Sequence, residues 1–133
     1  FARVRQIDTM KRKQFLKGVN QIAQEGAIQI FQEYNTGMEE IIVGVVGVLQ
    51  FEVLKYRLEN EYNVEIRMET LPYEYIRWIE NKDIDLNKLV GTSDMKKIKD
   101  LKGNPLLLWV NSWSIGMTLD RNEGLVLTEF GRN

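Results

Sequence analysis

Hydrophobic spacing in this chain switches between a period of two and a helical period, and over residues 1–70 the order of those switches admits few folds. Phe1 to Ile7 alternates apolar and polar residues, as a strand covered on one side requires. Asp8 or Thr9 then offers a side-chain oxygen to the free amides of a first helical turn, and Phe15, Leu16, Val19, Ile22 and Ala23 recur at helical spacing until Gly26. A strand over Ala27–Gln32 follows, with Ile28 and Ile30 on one face, and Asn35-Thr36-Gly37 supplies a hairpin turn. The third strand, Glu40 to Val46, is β-branched and almost continuously apolar, so a central position with both faces covered is expected. After Gly47 a second helix runs to about Glu61, with Val48, Phe51, Leu54 and Leu58 on one stripe and Glu52, Lys55 and Glu59 pointing outward, the last two at ion-pair spacing. Val64, Ile66 and Met68 then alternate with Glu65, Arg67 and Glu69 as a half-buried strand. The resulting order, βαββαβ, predicts an α+β, ferredoxin-like subdomain over residues 1–70: two helices on one face of an antiparallel four-stranded sheet.

Beyond Leu71-Pro72 the pattern weakens, and residues 71–133 are expected to form an α/β extension packed on the first part as one unit. Tyr73–Ile79 and Leu106–Val110 read as strands, Leu86–Val90 and Met95–Leu101 as short helical pieces, Ser112 as the cap of a helix to about Arg121, and Leu125–Phe130 as a last strand. A chain of 133 residues with 44% hydrophobic content can bury a core. It opens on Phe1 without an initiator Met, already in strand pattern, so an excision point inside a larger protein is expected. No apolar run approaches the roughly 20 residues that span a bilayer, so no membrane partner is expected.

The sequence has neither histidine nor cysteine. That removes the commonest metal ligand and neutral-pH base together with thiolate chemistry and disulfides, and it accords with a cytoplasmic location. No catalytic residue, cofactor-binding residue or metal ligand is expected in this segment. Net charge is only -1, but six cations stand against the single acid Asp8 between Phe1 and Asn20, while acids outnumber bases from Glu52 to Asp83. Two basic clusters result: Lys11, Arg12, Lys13 and Lys17 on the first helix, and Lys96, Lys97, Lys99 and Lys102 further on. Of these, Lys11, Arg12, Lys13, Lys17, Lys96 and Lys97 are the candidate contacts to a phosphate-bearing surface, since such contact needs only cations held at a surface.

Three other signals read more simply as structure. Gly44-Val45-Val46-Gly47 opens a helix and invites comparison with a phosphate loop or with the GxxG loop of a KH-type RNA-binding module. It lacks the Lys of the former and the polar centre of the latter, so close packing of a strand-to-helix turn is preferred and a stand-alone KH-like module is the alternative function. Asn81-Lys82-Asp83-Ile84 misses the final Asp of a guanine-reading NKxD sequence. Glu59, Glu61, Glu65, Glu69 and Asp83 follow no calcium-loop spacing and read as solvated faces. Trp78, Trp109 and Trp113 are expected to pack in or beside the core.

Two segments carry a more specific signal, the run from Lys11-Arg12-Lys13-Gln14-Phe15 to Glu25-Gly26-Ala27 and the run from Ile42-Val43-Gly44 through Gly47-Val48-Leu49-Gln50-Phe51 to Asn63-Val64-Glu65. Together they resemble the C-terminal domain of the bacterial class II peptide chain release factors, which are translational GTPases. More distantly they resemble the third domain of elongation factor G, whose corresponding turn reads Gly-Glu-Leu-His-Leu. The resemblance implies a parent protein with a GTP-binding domain, a β-barrel and then this domain, acting on the ribosome to remove class 1 release factors after termination. It implies that GTP, GDP and Mg belong to the domain absent here, and that this part supplies contacts to ribosomal RNA or protein and to the parent's own GTPase and β-barrel domains.

Overall fold

In a computed structural model, the described residues are 1–33 and 41–129, and they form an α+β fold. The chain divides into two compact units, Phe1–Gln32 with Thr36–Leu71 and Glu33–Asn35 with Pro72–Asn133.

The first unit has the order read from the sequence: β1 (Ala2–Gln6), α1 (Arg12–Gln24), β2 (Gln29–Glu33, its last residue counted with the second unit), β3 (Ile41–Gly44), α2 (Leu49–Glu61) and β4 (Ile66–Thr70). Its strands pair antiparallel in the order β4-β1-β3-β2. Ala2 pairs with Val43 and Val4 with Ile41, and all four side chains are buried on the face that carries the helices. Phe15, Val19 and Ile22 of α1 and Leu54 and Leu58 of α2 close the same core. β3 is buried at every position, as its continuous apolar run requires. The predicted hairpin at Asn35-Thr36-Gly37 lies outside the described residues.

Helix–helix contact depends on a glycine. A Cβ built on Gly18 of α1 would lie 2.6 Å from Leu58 Cδ2 and 3.0 Å from the Tyr62 ring, so only glycine lets α2 approach this closely. α1 ends at Gln24, and Gly26 just beyond it has a φ of 83°, which suits the residue that stops a helix. Arg57 of α2 fastens that end: it pairs with Glu25 at the end of α1 and with Glu61 one turn along α2, at 2.7 Å. This pair takes the role that the sequence offered to Lys55 and Glu59.

The second unit contains β5 (Tyr75–Ile79), β6 (Lys96–Asp100), β7 (Pro105–Trp109), α3 (Trp113–Arg121) and the short β8 (Leu127–Thr128), with antiparallel strands in the order β6-β7-β5-β8. β7 is its spine, with Leu106, Leu107, Leu108 and Trp109 fully buried. The Trp109 indole N–H donates to the Thr118 hydroxyl of α3 at 3.1 Å, and that hydroxyl donates in turn to the Ser114 carbonyl. Residues 95–101, expected to be helical, instead contribute strand β6, paired with β7 from Lys96↔Leu108 to Lys99↔Pro105. Pairing with a buried strand overrides the helix propensity of Lys-Lys-Ile-Lys. Leu86–Lys88 is a single 3-10 turn, with the Asp85 carboxylate accepting from Asn87 N. Ser112 precedes α3 without a side-chain capping bond.

Candidate functional site

Asp8 begins the cationic helix by accepting a hydrogen bond from Met10 N at 2.9 Å, which caps the 3-10 turn Thr9–Lys11 that leads into α1. With Phe15, Val19 and Ile22 drawn into the core, Lys13 and Lys17 stand one turn apart on the solvent side, and both are exposed. Arg12 is half-buried beside them. Lys11 is committed elsewhere, because its ammonium donates to the Asn63 carbonyl at 2.8 Å, just past the end of α2. A cation there also suits the negative end of the helix dipole. Asn63 itself adopts φ 56°, a left-handed conformation that Asn tolerates better than most residues.

The second cluster does not form one patch. In strand β6, Lys96 and Lys97 project to opposite faces. Lys96 is paired with Glu33 at 3.2 Å, whereas Lys97 lies across from Leu107. Sequence reading missed a different pair of cations. Arg5 of β1 sits directly opposite Arg67 of β4, and both are exposed on the sheet face away from the helices. Arg67 falls in an acid-rich stretch, so only strand register brings it beside Arg5. On the same face Arg3 pairs with Glu69 at 3.3 Å.

The turn from Gly44 to Gly47 has the character of packing. A Cβ on Gly44 would meet the Phe1 ring at 3.0 Å and the Phe31 ring at 3.3 Å. The amides of Val46 and Gly47, which a phosphate would need, donate instead to the Gln50 side-chain oxygen at 2.9 and 3.4 Å. A KH-like clamp on nucleic acid would therefore find these two amides already engaged and no cation in this turn.

Asn81, from the NKxD-like stretch, spends its side chain on backbone: it donates to the Gly124 carbonyl and accepts from Val126 N, at 2.9 and 2.8 Å. An open groove of about 630 Å³ lies beside it, bordered by Lys82, Asp85, Lys88 and Asn122. Among the acids, Glu61 and Glu69 are held in ion pairs. Among the described residues, no three His, Cys, Asp or Glu side chains are grouped to hold a metal ion.

Arg57 holds the carboxyls of Glu25 and Glu61 below their ordinary range, and its own guanidinium is shifted upward by the two partners, Glu61 first. Asp94 is a second anchor. Burial pushes its carboxyl up, but hydrogen bonds from Thr92, the Asn111 amide and Ser114 prevail and hold it below its usual value. Its Oδ2 accepts from Val110 N and Asn111 N, both at 3.1 Å, which fixes the turn between β7 and α3. Both anchors are structural.

Fold and surface together define an α+β domain that presents cations from a helix and from a sheet face. Residues 1–119 match the family model described as class II release factor RF3, C-terminal domain. Similar proteins named peptide chain release factor 3 include one from Symbiobacterium thermophilum, 41% identical over 126 residues, covering 95% of this chain and 24% of that protein. One from Listeria monocytogenes is 43% identical over 128 residues, covering 96% and 24%, and one from Lactobacillus acidophilus is 41% identical over 129 residues, covering 97% and 24%. The chain belongs to the family of class II release factor C-terminal domains. It spans about a quarter of the length of the curated relatives it matches.

Proposed function

We propose that this chain is the C-terminal domain of a cytoplasmic translational GTPase that acts in termination, promoting GTP-dependent removal of class 1 release factors from the ribosome. Family membership over residues 1–119 carries the reading. GTP, GDP and Mg would be held by another domain of the parent, and this segment would perform no chemistry of its own. Its first unit, with the βαββαβ order, would act as a ferredoxin-like body that transmits contact between the ribosome and the parent's GTPase and β-barrel domains.

The exposed side chains Lys13 and Lys17, with Arg12 beside them, are the part of the surface best suited to phosphate contact. Lys97 is a secondary contact. Lys11 and Lys96 contribute less, since each is engaged within the fold.

The test compares this chain with the full-length protein in ribosome co-sedimentation and GTP hydrolysis, at low and high salt. The proposal expects ribosome-stimulated GTP hydrolysis from the full-length protein only. Salt-sensitive binding of free single-stranded RNA by the chain alone, lost on Val46→Asp, would favour a KH-like module instead.

A further inference from the structure

α2 is apolar on two opposed sides. Leu54 and Leu58 turn into the core, while Leu49, Val53 and Tyr56, spaced four and three residues apart, line the side facing solvent. The stripe continues into the preceding turn through Val46 and Val48, and exposures run from 50% at Val53 and 70% at Leu49 to 101% at Val46. The turn is not loosely placed, because Gln50 accepts hydrogen bonds from the Val46 and Gly47 amides and holds Val46 outward. An ordered turn that aims valine at water, continuous with three more apolar residues on a helix, is a surface that a partner covers.

The flanks say what kind of partner. Glu52 and Glu59 lie along one border of the stripe, at helical positions adjacent to Leu49 and Tyr56, with Lys55 between them on the same flank, and all three are exposed. The border keeps a net charge of -1, so its complement is an apolar patch with basic side chains placed against the two carboxylates. Matched relatives are about four times the length of this segment, so most of each polypeptide lies elsewhere and is tethered at high effective concentration. We infer that the Val46–Tyr56 stripe is an intramolecular docking face, covered by another domain of the same release factor that presents an apolar patch with a basic border. This inference rests on family membership and on the exposed stripe, and it does not depend on α1 contacting the ribosome.

The chain contains no cysteine, so single reporters can be placed cleanly. Val53→Cys and Val46→Cys are introduced into this chain and into a cysteine-free full-length release factor that carries it, with Lys13→Cys as the exposed control. Maleimide labelling is followed without ribosomes, after circular dichroism has shown that each variant retains its helix content. Both stripe thiols should react at least tenfold more slowly in the full-length protein than in the isolated chain, while Lys13→Cys reacts equally in both. Adding Leu49→Glu to the full-length Val53→Cys protein should restore fast labelling. Equal stripe rates in the two proteins overturn the inference. So does slowing that grows with concentration of the isolated chain, which points to a second copy, or slowing of the full-length protein only when ribosomes are added. Failure of the ribosome reading would leave the ribosome-free labelling rates unchanged.

Discussion

Replacing Gly18 with Ala tests how closely the two helices of the first unit approach. On an isolated helix the change would stabilise, because alanine is favoured over glycine by about 1 kcal/mol in a helix interior. Here the added methyl falls 2.6 Å from Leu58 Cδ2 and 3.0 Å from two atoms of the Tyr62 ring. Carbon atoms prefer about 3.5–4.0 Å, so the methyl is short of contact distance by about 1 Å. Leu58 has no exposed surface and is enclosed by the core, which leaves its terminal methyl little room to move away. Overpacking of this kind costs about 1–3 kcal/mol, and after the propensity gain of about 1 kcal/mol a net destabilisation of up to about 2 kcal/mol is expected. All three tryptophans lie beyond Pro72, so unfolding of the first unit is best followed by far-UV circular dichroism in urea. The midpoint should fall with an unchanged slope. Truncating the neighbour separates the two terms: in a Leu58→Ala background, itself destabilised by about 2–5 kcal/mol, the clash with Leu58 disappears and Gly18→Ala should become neutral or stabilising. A stabilised single variant, or the same effect in both backgrounds, would refute the close-approach argument.

In the second unit, Thr118→Val removes the acceptor of the buried Trp109 indole and should cost about 1–3 kcal/mol, read as a lower urea midpoint by tryptophan fluorescence. Asp94→Ala frees the amides of Val110 and Asn111 and should lower the same midpoint, whereas Asp83→Ala, an exposed acid, should leave it unchanged. The Glu25–Arg57–Glu61 cluster gives a pH dependence whose sign follows from its depressed carboxyl pKa values. The unfolded chain takes up those protons first, so the contribution is present above the ordinary glutamate value of about 4.3 and is lost as pH falls through the lower folded values. Arg57→Gln should therefore lower stability at pH 7 and reduce the loss seen as pH falls below the ordinary glutamate value of about 4.3; an unchanged acid slope would contradict the assignment.

Regular periodicity made much of the first unit legible, because β1, α1 and β4 each have a single packed face. Phe15, Val19 and Ile22 kept their helical spacing and their burial, and β3 and β7 announced themselves as continuous apolar runs that only a covered strand tolerates. Residues 95–101 misled because Ile98 is the one strongly apolar residue between Lys96 and Asp100, too little to set a period. Long-range geometry was hidden altogether. Val48 was placed on the buried stripe of α2 and is exposed, since Gln50 turns the preceding loop outward. Gly18 drew no notice as a residue within a helix, because what it accommodates lies forty residues away in Leu58. The same holds for the cations: Lys13 and Lys17 could be read from helical spacing alone, whereas the opposition of Arg5 and Arg67 exists only through the register of β1 against β4.

Charge reversal on α1 tests the central claim most directly. Lys13→Glu with Lys17→Glu, both at exposed positions that leave the core untouched, is introduced into the full-length release factor and assayed by ribosome co-sedimentation at low and high salt. The account predicts binding at least tenfold weaker at low salt, a shallower dependence on salt concentration, and unchanged thermal stability. Binding and salt slope equal to those of the unaltered protein would contradict it.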